Sequence, residues 1–140
     1  MKSLILCTTA SDSICKLALD SLEMKKIRFT VAISAYNIEA YVKRAIDSVL
    51  SQTFTDYELL VIDDCSKDNT VQVIEESLNG KGIILKTIKN SGTAAASRNI
   101  AIDNAQGKYL LFLDGDDELY SKDTLKEVDE LIKDNTYDIV

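Results

Sequence analysis

The chain is predicted to be an α/β fold, with a mostly parallel sheet and helices on both of its faces. Three observations predict it. From Arg28 onward, short apolar runs rich in β-branched residues alternate with segments of helical period. The connections are short, and strand alternating with helix implies parallel strands buried on both sides. Turn formers and carboxylates gather just after the apolar runs, at the sheet edge where open α/β folds bind their ligands.

Taken in order, Phe29-Thr30-Val31-Ala32-Ile33 is the first strand. Ile38, Tyr41, Val42, Ala45, Ile46, Val49 and Leu50 then share one face at i, i+3, i+4, i+7 spacing, which predicts a helix. Tyr57 to Ile62 is the second strand and ends at Asp63-Asp64. Asp68 or Thr70 caps a helix through Val71, Ile74 and Leu78, closed by Asn79-Gly80. Ile83 to Ile88 is the third strand. Thr93 to Ala105 is an alanine-rich helix with Gly107 as its stop, and Tyr109 to Leu113 is the fourth strand. Ser121 caps a last helix carrying Leu125, Val128, Leu131 and Ile132. Asp138-Ile139-Val140 reads as the start of another strand, so the domain over 28–140 is expected to be truncated at its C-terminus. Residues 1–27 read as an N-terminal extension, with a strand at Lys2 to Thr9 and a helix at Ser13 to Lys25.

Composition narrows the chemistry. The 140 residues suffice for one domain with a real core. A net charge of −7 without a basic stripe argues against nucleic acid or an anionic membrane as main partner. Histidine is absent, which excludes Ser-His and Cys-His nucleophiles within the chain. Three cysteines without CxxC spacing argue against a disulfide scaffold or a zinc site and suit a reducing compartment. The expected location is cytoplasmic, with membrane association arising only from other parts of a longer protein or from partners.

The strongest chemical signal is Asp114-Gly115-Asp116-Asp117-Glu118, four carboxylates in five residues directly after an apolar strand. Such charges repel one another unless something positive holds them. Oxygen-only donors favour Mg²⁺ or Mn²⁺, and such a cation usually carries a phosphate. The Asp-x-Asp spacing lets two carboxylates approach one cation, while Gly115 permits a tight turn. The pattern is not a calcium EF-hand loop, no P-loop is present, and Gly80-Lys81-Gly82 breaks the dinucleotide glycine pattern.

Three further segments end near the same edge, each with two readings. In Ser34-Ala35-Tyr36-Asn37, Tyr36 is either a stacking platform for a flat ring or packing, with Asn37 a helix cap. Asp63-Asp64 either accepts hydrogen bonds from a base or ribose or forms a solvated turn. Asn90-Ser91-Gly92-Thr93 leads into a helix whose N-terminus and Arg98 either receive a diphosphate or form an ordinary capped helix with an exposed arginine.

With these residues in hand, the chain resembles the family 2 glycosyltransferases of the GT-A fold. The resemblance runs from Phe29 to Ile132. It rests on Val31 to Asn37, Ser48-Val49-Leu50-Ser51-Gln52-Thr53-Phe54, Leu60 to Thr70, Asn90-Ser91-Gly92, Ala96-Ser97-Arg98-Asn99 and Gly107 to Asp117, in that order. It implies the Rossmann-like, nucleotide-binding half of that fold and an inverting, metal-dependent transferase. The donor is expected to be a nucleotide-diphosphate sugar, most often a UDP-sugar, and the acceptor a glycan or lipid-linked glycan. By the family pattern Ser34 and Tyr36 flank the base, Asp64 hydrogen-bonds it, and Arg98 lies near the diphosphate. Asp114 contacts the ribose or metal side, Asp116 is the direct ligand of Mn²⁺ or Mg²⁺, and Glu39 is a further nucleotide-site candidate. The family's catalytic base belongs to a C-terminal half expected to be missing, so the chain is expected to bind donor and metal but to transfer sugar poorly.

Two positions depart from the family pattern. Ser34-Ala35 stands where a proline is usual, and Cys65 where a glycine is usual. Two other readings share single motifs. A haloacid-dehalogenase-type phosphatase also carries Asp-x-Asp after a strand, but on its first strand. A response-regulator-type phosphoacceptor domain carries an acidic pair, but after its first strand rather than its second.

Overall fold

The computed structural model describes residues 27–87 and 89–133. Four parallel strands, β1 (Phe29–Ala35), β2 (Tyr57–Asp63), β3 (Ile83–Lys86) and β4 (Tyr109–Asp114), form one sheet in the order β3-β2-β1-β4. The helices α1 (Val42–Leu50), α2 (Thr70–Leu78), α3 (Ala94–Asn104) and α4 (Thr124–Lys133) alternate with them. The expected strand and helix at Lys2 to Lys25, the position Ile88 and the expected strand start at Asp138 lie outside the described residues.

Central β1 and β2 read as continuous apolar runs because both of their faces are covered. On one face Val31, Ile33, Leu59 and Val61 pack with Val42, Ile46 and Val49 of α1, Ile74 and Leu78 of α2, and Leu125 of α4. On the other, Ala32, Leu60 and Ile62 meet Ala101 of α3 in a smaller cluster. The chirality of parallel crossovers explains the division. Two successive crossovers, β1 to β2 and β2 to β3, step one way along the sheet. The third steps back past β1, so its right-handed connection places α3 on the opposite face.

Several expectations are corrected. Helix α1 starts at Val42, not Ile38, and its N-cap Tyr41 makes no side-chain capping bond. Asn37 is not a cap: it adopts φ 51° and its Oδ1 accepts the Lys67 amide at 2.8 Å, tying the end of β1 to the loop after β2. Leu131 is 61% exposed, and the buried face of α4 carries Asp129 instead. That carboxylate accepts the Arg28 Nε at 2.6 Å and is also paired with Lys133, which permits its burial. Among the described residues, no helix is long and apolar enough to cross a membrane.

Gly107 does not stop α3, which ends at Asn104 with Ala105 extended. It lies where a Cβ would stand 2.4 Å from the Thr30 amide nitrogen, so glycine is required by close approach of the chain to β1. Gly80, by contrast, has φ +79° and open space around it. Gly107→Ala is therefore expected to lower unfolding free energy by about 2–3 kcal/mol, and Gly80→Ala by about 1 kcal/mol. Urea unfolding of both variants checks the ranking.

Candidate functional site

The register brings the predicted residues together. Ser34 pairs with Asp114 across β1 and β4, and Ala35 pairs with Asp63 across β1 and β2. The ladder continues past both strand ends, with the Asp64 amide donating to Ala35 O at 2.9 Å and the Gly115 amide to Ser34 O at 3.0 Å. The strand order reverses between β1 and β4, which is where open α/β sheets form a ligand crevice.

A cleft of about 250 Å³ opens at this edge, lined by Ser34, Tyr36, Asp64, Asn90, Thr93 and Ser97 among others. Tyr36 is 43% exposed, so its ring is a wall of the cleft rather than core packing. The N-terminal turn of α3 forms the opposite wall, and its free amide groups favour an anion there.

The two adjacent aspartates turn opposite ways, as strand alternation requires. Asp63 points into the α1–α2 side; its Oδ2 accepts the Ser66 amide at 3.1 Å, and its buried Oδ1 has no partner among the described residues. Asp64 faces the cleft and gathers the loop after β3. It accepts the Thr87 hydroxyl at 2.9 Å, the Asn90 side-chain amide at 3.1 Å, and the hydroxyl and backbone amide of Ser91 at 2.7 and 3.0 Å. Burial raises the Asp64 pKa, but the Ser91 hydroxyl and amide and the Thr87 hydroxyl outweigh it, leaving it below its ordinary value of 3.8.

Cys65 sits at φ 62°, the left-handed region where an L side chain is strained. That is the position where the resembled family usually has glycine.

The acidic segment forms a turn closed by the Asp117 amide donating to Asp114 O at 2.9 Å. Gly115 serves this turn by close approach rather than by an unusual φ: a Cβ would stand 2.5 Å from Ser34 O. Two arginines answer the like-charge repulsion. Arg98 of α3 lies 3.4 Å from Asp114 Oδ1, and Arg44 of α1 lies 3.7 Å from Glu118 Oε2. Among the described residues, Asp116 and Asp117 have no such ion-pair partner. Ser34 Oγ is 3.5 Å from Asp114 Oδ1, which links the cleft to the turn.

Ser34, Tyr36 and Asp64 thus share the cleft, Arg98 and Asp114 flank it, and Asp116 stands exposed on the adjoining turn. Glu39 is not among the lining residues; its carboxylate accepts the Asn69 amide at 2.8 Å, ahead of α2. The N-cap of α2 is Asn69, without a side-chain capping bond, rather than Asp68 or Thr70. Asp68 sits one residue earlier, accepts the Thr70 amide at 3.0 Å and keeps a lowered pKa, because burial raises it but bonds from Thr70 and Glu39 prevail. Sequence reasoning missed Arg44, 72 residues from the Asp116 carbonyl it holds, because nothing local marks that contact.

No three acidic or cysteine side chains converge among the described residues. The donor set still fits a hard cation shared with a ligand, since Mg²⁺-type sites commonly take one or two carboxylates and complete their shell with phosphate oxygens and water.

Residues 30–140 match the family model described as Glycosyl transferase family 2. The chain belongs to this family. The chain is 34% identical to the poly(ribitol-phosphate) β-N-acetylglucosaminyltransferase TarS of Staphylococcus aureus over 117 residues, 81% of this chain and 20% of TarS. It is 36% identical to the teichuronic acid biosynthesis glycosyltransferase TuaG of Bacillus subtilis, a protein itself named only provisionally, over 70% of this chain and 39% of TuaG. It therefore spans about a fifth to two fifths of the length of these relatives. The crystal structure of TarS 1–349 in complex with UDP-GlcNAc superposes with a TM-score of 0.72 at 34% identity, over 76% of this chain and 31% of that one. A mannosyltransferase from Pyrobaculum calidifontis, at TM-score 0.65 and 22% identity over 73% of this chain and 31% of that one, shares the fold. The sheet with its helices is accordingly the Rossmann-like part of a GT-A fold. Family membership also sets aside the phosphatase and phosphoacceptor readings.

Two outcomes are expected. Asp64 stabilises fully above its unfolded pKa, and that contribution is lost as pH falls through the lower folded value. Wild-type stability should therefore drop below about pH 4, and Asp64→Asn, weaker at neutral pH, should show a shallower drop by denaturant titration. Cys65→Gly should raise unfolding free energy by up to about 1 kcal/mol, and Cys65→Val should lower it, in the same assay.

Proposed function

We propose that this chain is the donor-binding portion of a family 2 glycosyltransferase that takes a UDP-sugar with a divalent cation. The observation that carries this is the adjacency of the Tyr36–Asp64 cleft to the Asp114–Asp116 turn on one sheet edge. The likeness to TarS, solved with UDP and with UDP-GlcNAc, supports a uridine nucleotide in that cleft.

In this reading Tyr36 stacks on the base, and Ser34 and Asp64 border its polar edge. Asp64 already accepts bonds from Thr87, Asn90 and Ser91, so its first contribution is to hold the wall of the cleft in shape. Arg98 and the N-terminal amides of α3 offer positive charge for the diphosphate. Asp116 would hold Mn²⁺ or Mg²⁺, joined by Asp114 once Arg98 turns from it to the diphosphate, and the cation's charge would stabilise the departing diphosphate. Glu39 keeps only an indirect part, through the loop before α2.

Transfer proceeds with inversion at the sugar, to a cell-surface glycan or a lipid-linked acceptor. The catalytic base is not assigned to any of the described residues, and this span by itself carries donor and cation binding with little turnover. The setting is cytoplasmic, in keeping with three cysteines that form no CxxC pair.

Calorimetric titration with UDP, GDP and dTDP, with and without Mn²⁺, tests the proposal. UDP should bind tightest, Mn²⁺ should tighten it about tenfold or more, and Asp116→Ala should abolish that gain. Absence of UDP binding under both conditions, or equal affinity for all three nucleotides, contradicts it.

A further inference from the structure

The segment Ser48 to Phe54 belongs to the resemblance, yet none of its residues lines the cleft. Its contacts give it a place in the site. Arg44, Ser48 and Gln52 follow one another at four-residue spacing along α1 and just past its end, so they lie on one stripe. All three bind the chain that follows β4. Arg44 Nη2 donates to the Asp116 carbonyl at 2.8 Å. Ser48 Oγ accepts the Leu119 amide at 3.0 Å. Gln52 donates to Ser121 O at 2.6 Å and accepts the Leu125 amide at 3.0 Å, and the Thr53 amide donates to Lys122 O at 2.8 Å.

We propose that this stripe is the positioning element of the acidic turn, holding the main chain from Asp116 to Leu125 so that the Asp116 carboxylate stays open to a cation. The inference rests on the cation reading given above and adds residues to it that touch neither nucleotide nor metal. The segment Asp116–Ser121 lies between β4 and α4, with no strand ladder or helix to hold its backbone. Its local bonds are few, the Asp117 amide to Asp114 O and the Ser121–Thr124 pair at its far end, and a segment with few buried contacts opens at low free energy. The stripe supplies outside partners from a rigid helix whose apolar face is locked in the larger core cluster by Val42, Ala45, Ile46 and Val49.

The charges follow the same logic. Arg44 uses the Asp116 carbonyl and the Glu118 carboxylate, and leaves the Asp116 side chain alone. A guanidinium paired directly with Asp116 would compete with a cation for it. Lysine cannot reproduce this geometry, because one ammonium lacks the fork that reaches carbonyl and carboxylate together. Gln52 is 7% exposed and satisfies the Leu125 amide, so its loss would disturb folding as well. Arg44 and Ser48 are the cleaner probes.

The experiment has two arms. Hydrogen exchange of the amides from Gly115 to Leu119, without nucleotide or metal, should speed up about tenfold in Arg44→Ala and in Ser48→Ala. Ser48→Thr, which keeps the hydroxyl, should restore protection, and Lys43→Ala, one residue away, should match wild type. In the second arm the gain in UDP affinity from Mn²⁺ should shrink about tenfold in Arg44→Ala, with Arg44→Lys recovering little of it. Unchanged exchange in both alanine variants overturns the proposal, as does a wild-type Mn²⁺ gain in Arg44→Ala. Failure of wild type to bind UDP at all instead defeats the donor-binding reading, and the exchange arm still decides whether the stripe holds the turn.

Discussion

Parallel pairing of β1 with β2 on one side and β4 on the other is the constraint on which the site depends. With Ser34 opposite Asp114 and Ala35 opposite Asp63, three strands end in one line. A slip of one residue would turn every side chain to the other face, sending Asp64 into the core and Asp63 into the cleft. The two-sided core forbids that slip, because Val31, Ile33, Leu59 and Val61 are committed to one face and Ala32, Leu60 and Ile62 to the other. Packing far from the chemistry therefore decides which carboxylate meets a ligand.

Electrostatics sets the second layer. Four carboxylates in five residues are tolerable because two arginines from helices on opposite faces of the sheet engage the outer pair. Exposed pairs of this kind contribute little to stability, roughly 0–1 kcal/mol each. Their effect is on arrangement: the outer carboxylates are occupied and Asp116 is left open. Asp64 follows a different course, its charge satisfied by hydroxyl and amide donors that shape the cleft wall.

Much of this was legible in the sequence, and the exceptions have physical causes. Strand runs and the acidic turn were readable because their signals are local: apolar continuity, and like charges directly after it. Asn37 looked like a helix cap because cap and left-handed roles use the same side-chain chemistry, and only the loop around Lys67 separates them. Gly107 looked like a helix stop, whereas its need arises from Thr30, which is 77 positions away in the chain. Glu39 lay near the right motif but is drawn to Asn69. The role of the polar stripe on α1 was not legible, since no periodicity in the sequence distinguishes polar groups facing water from polar groups facing a loop. Leu131 was expected on the buried face of α4, but Asp129 is buried instead, because the Arg28 partner that makes it buriable belongs to a distant segment.

The most direct measurement is a crystal structure of this chain with UDP and Mn²⁺ bound. The account predicts the uracil ring against Tyr36, the diphosphate beside the start of α3, and the ion at oxygen-ligand distance, about 2.1 Å, from Asp116. An ion bound elsewhere with Asp116 turned to solvent, or a nucleotide outside the cleft between Tyr36 and Asp64, would contradict it.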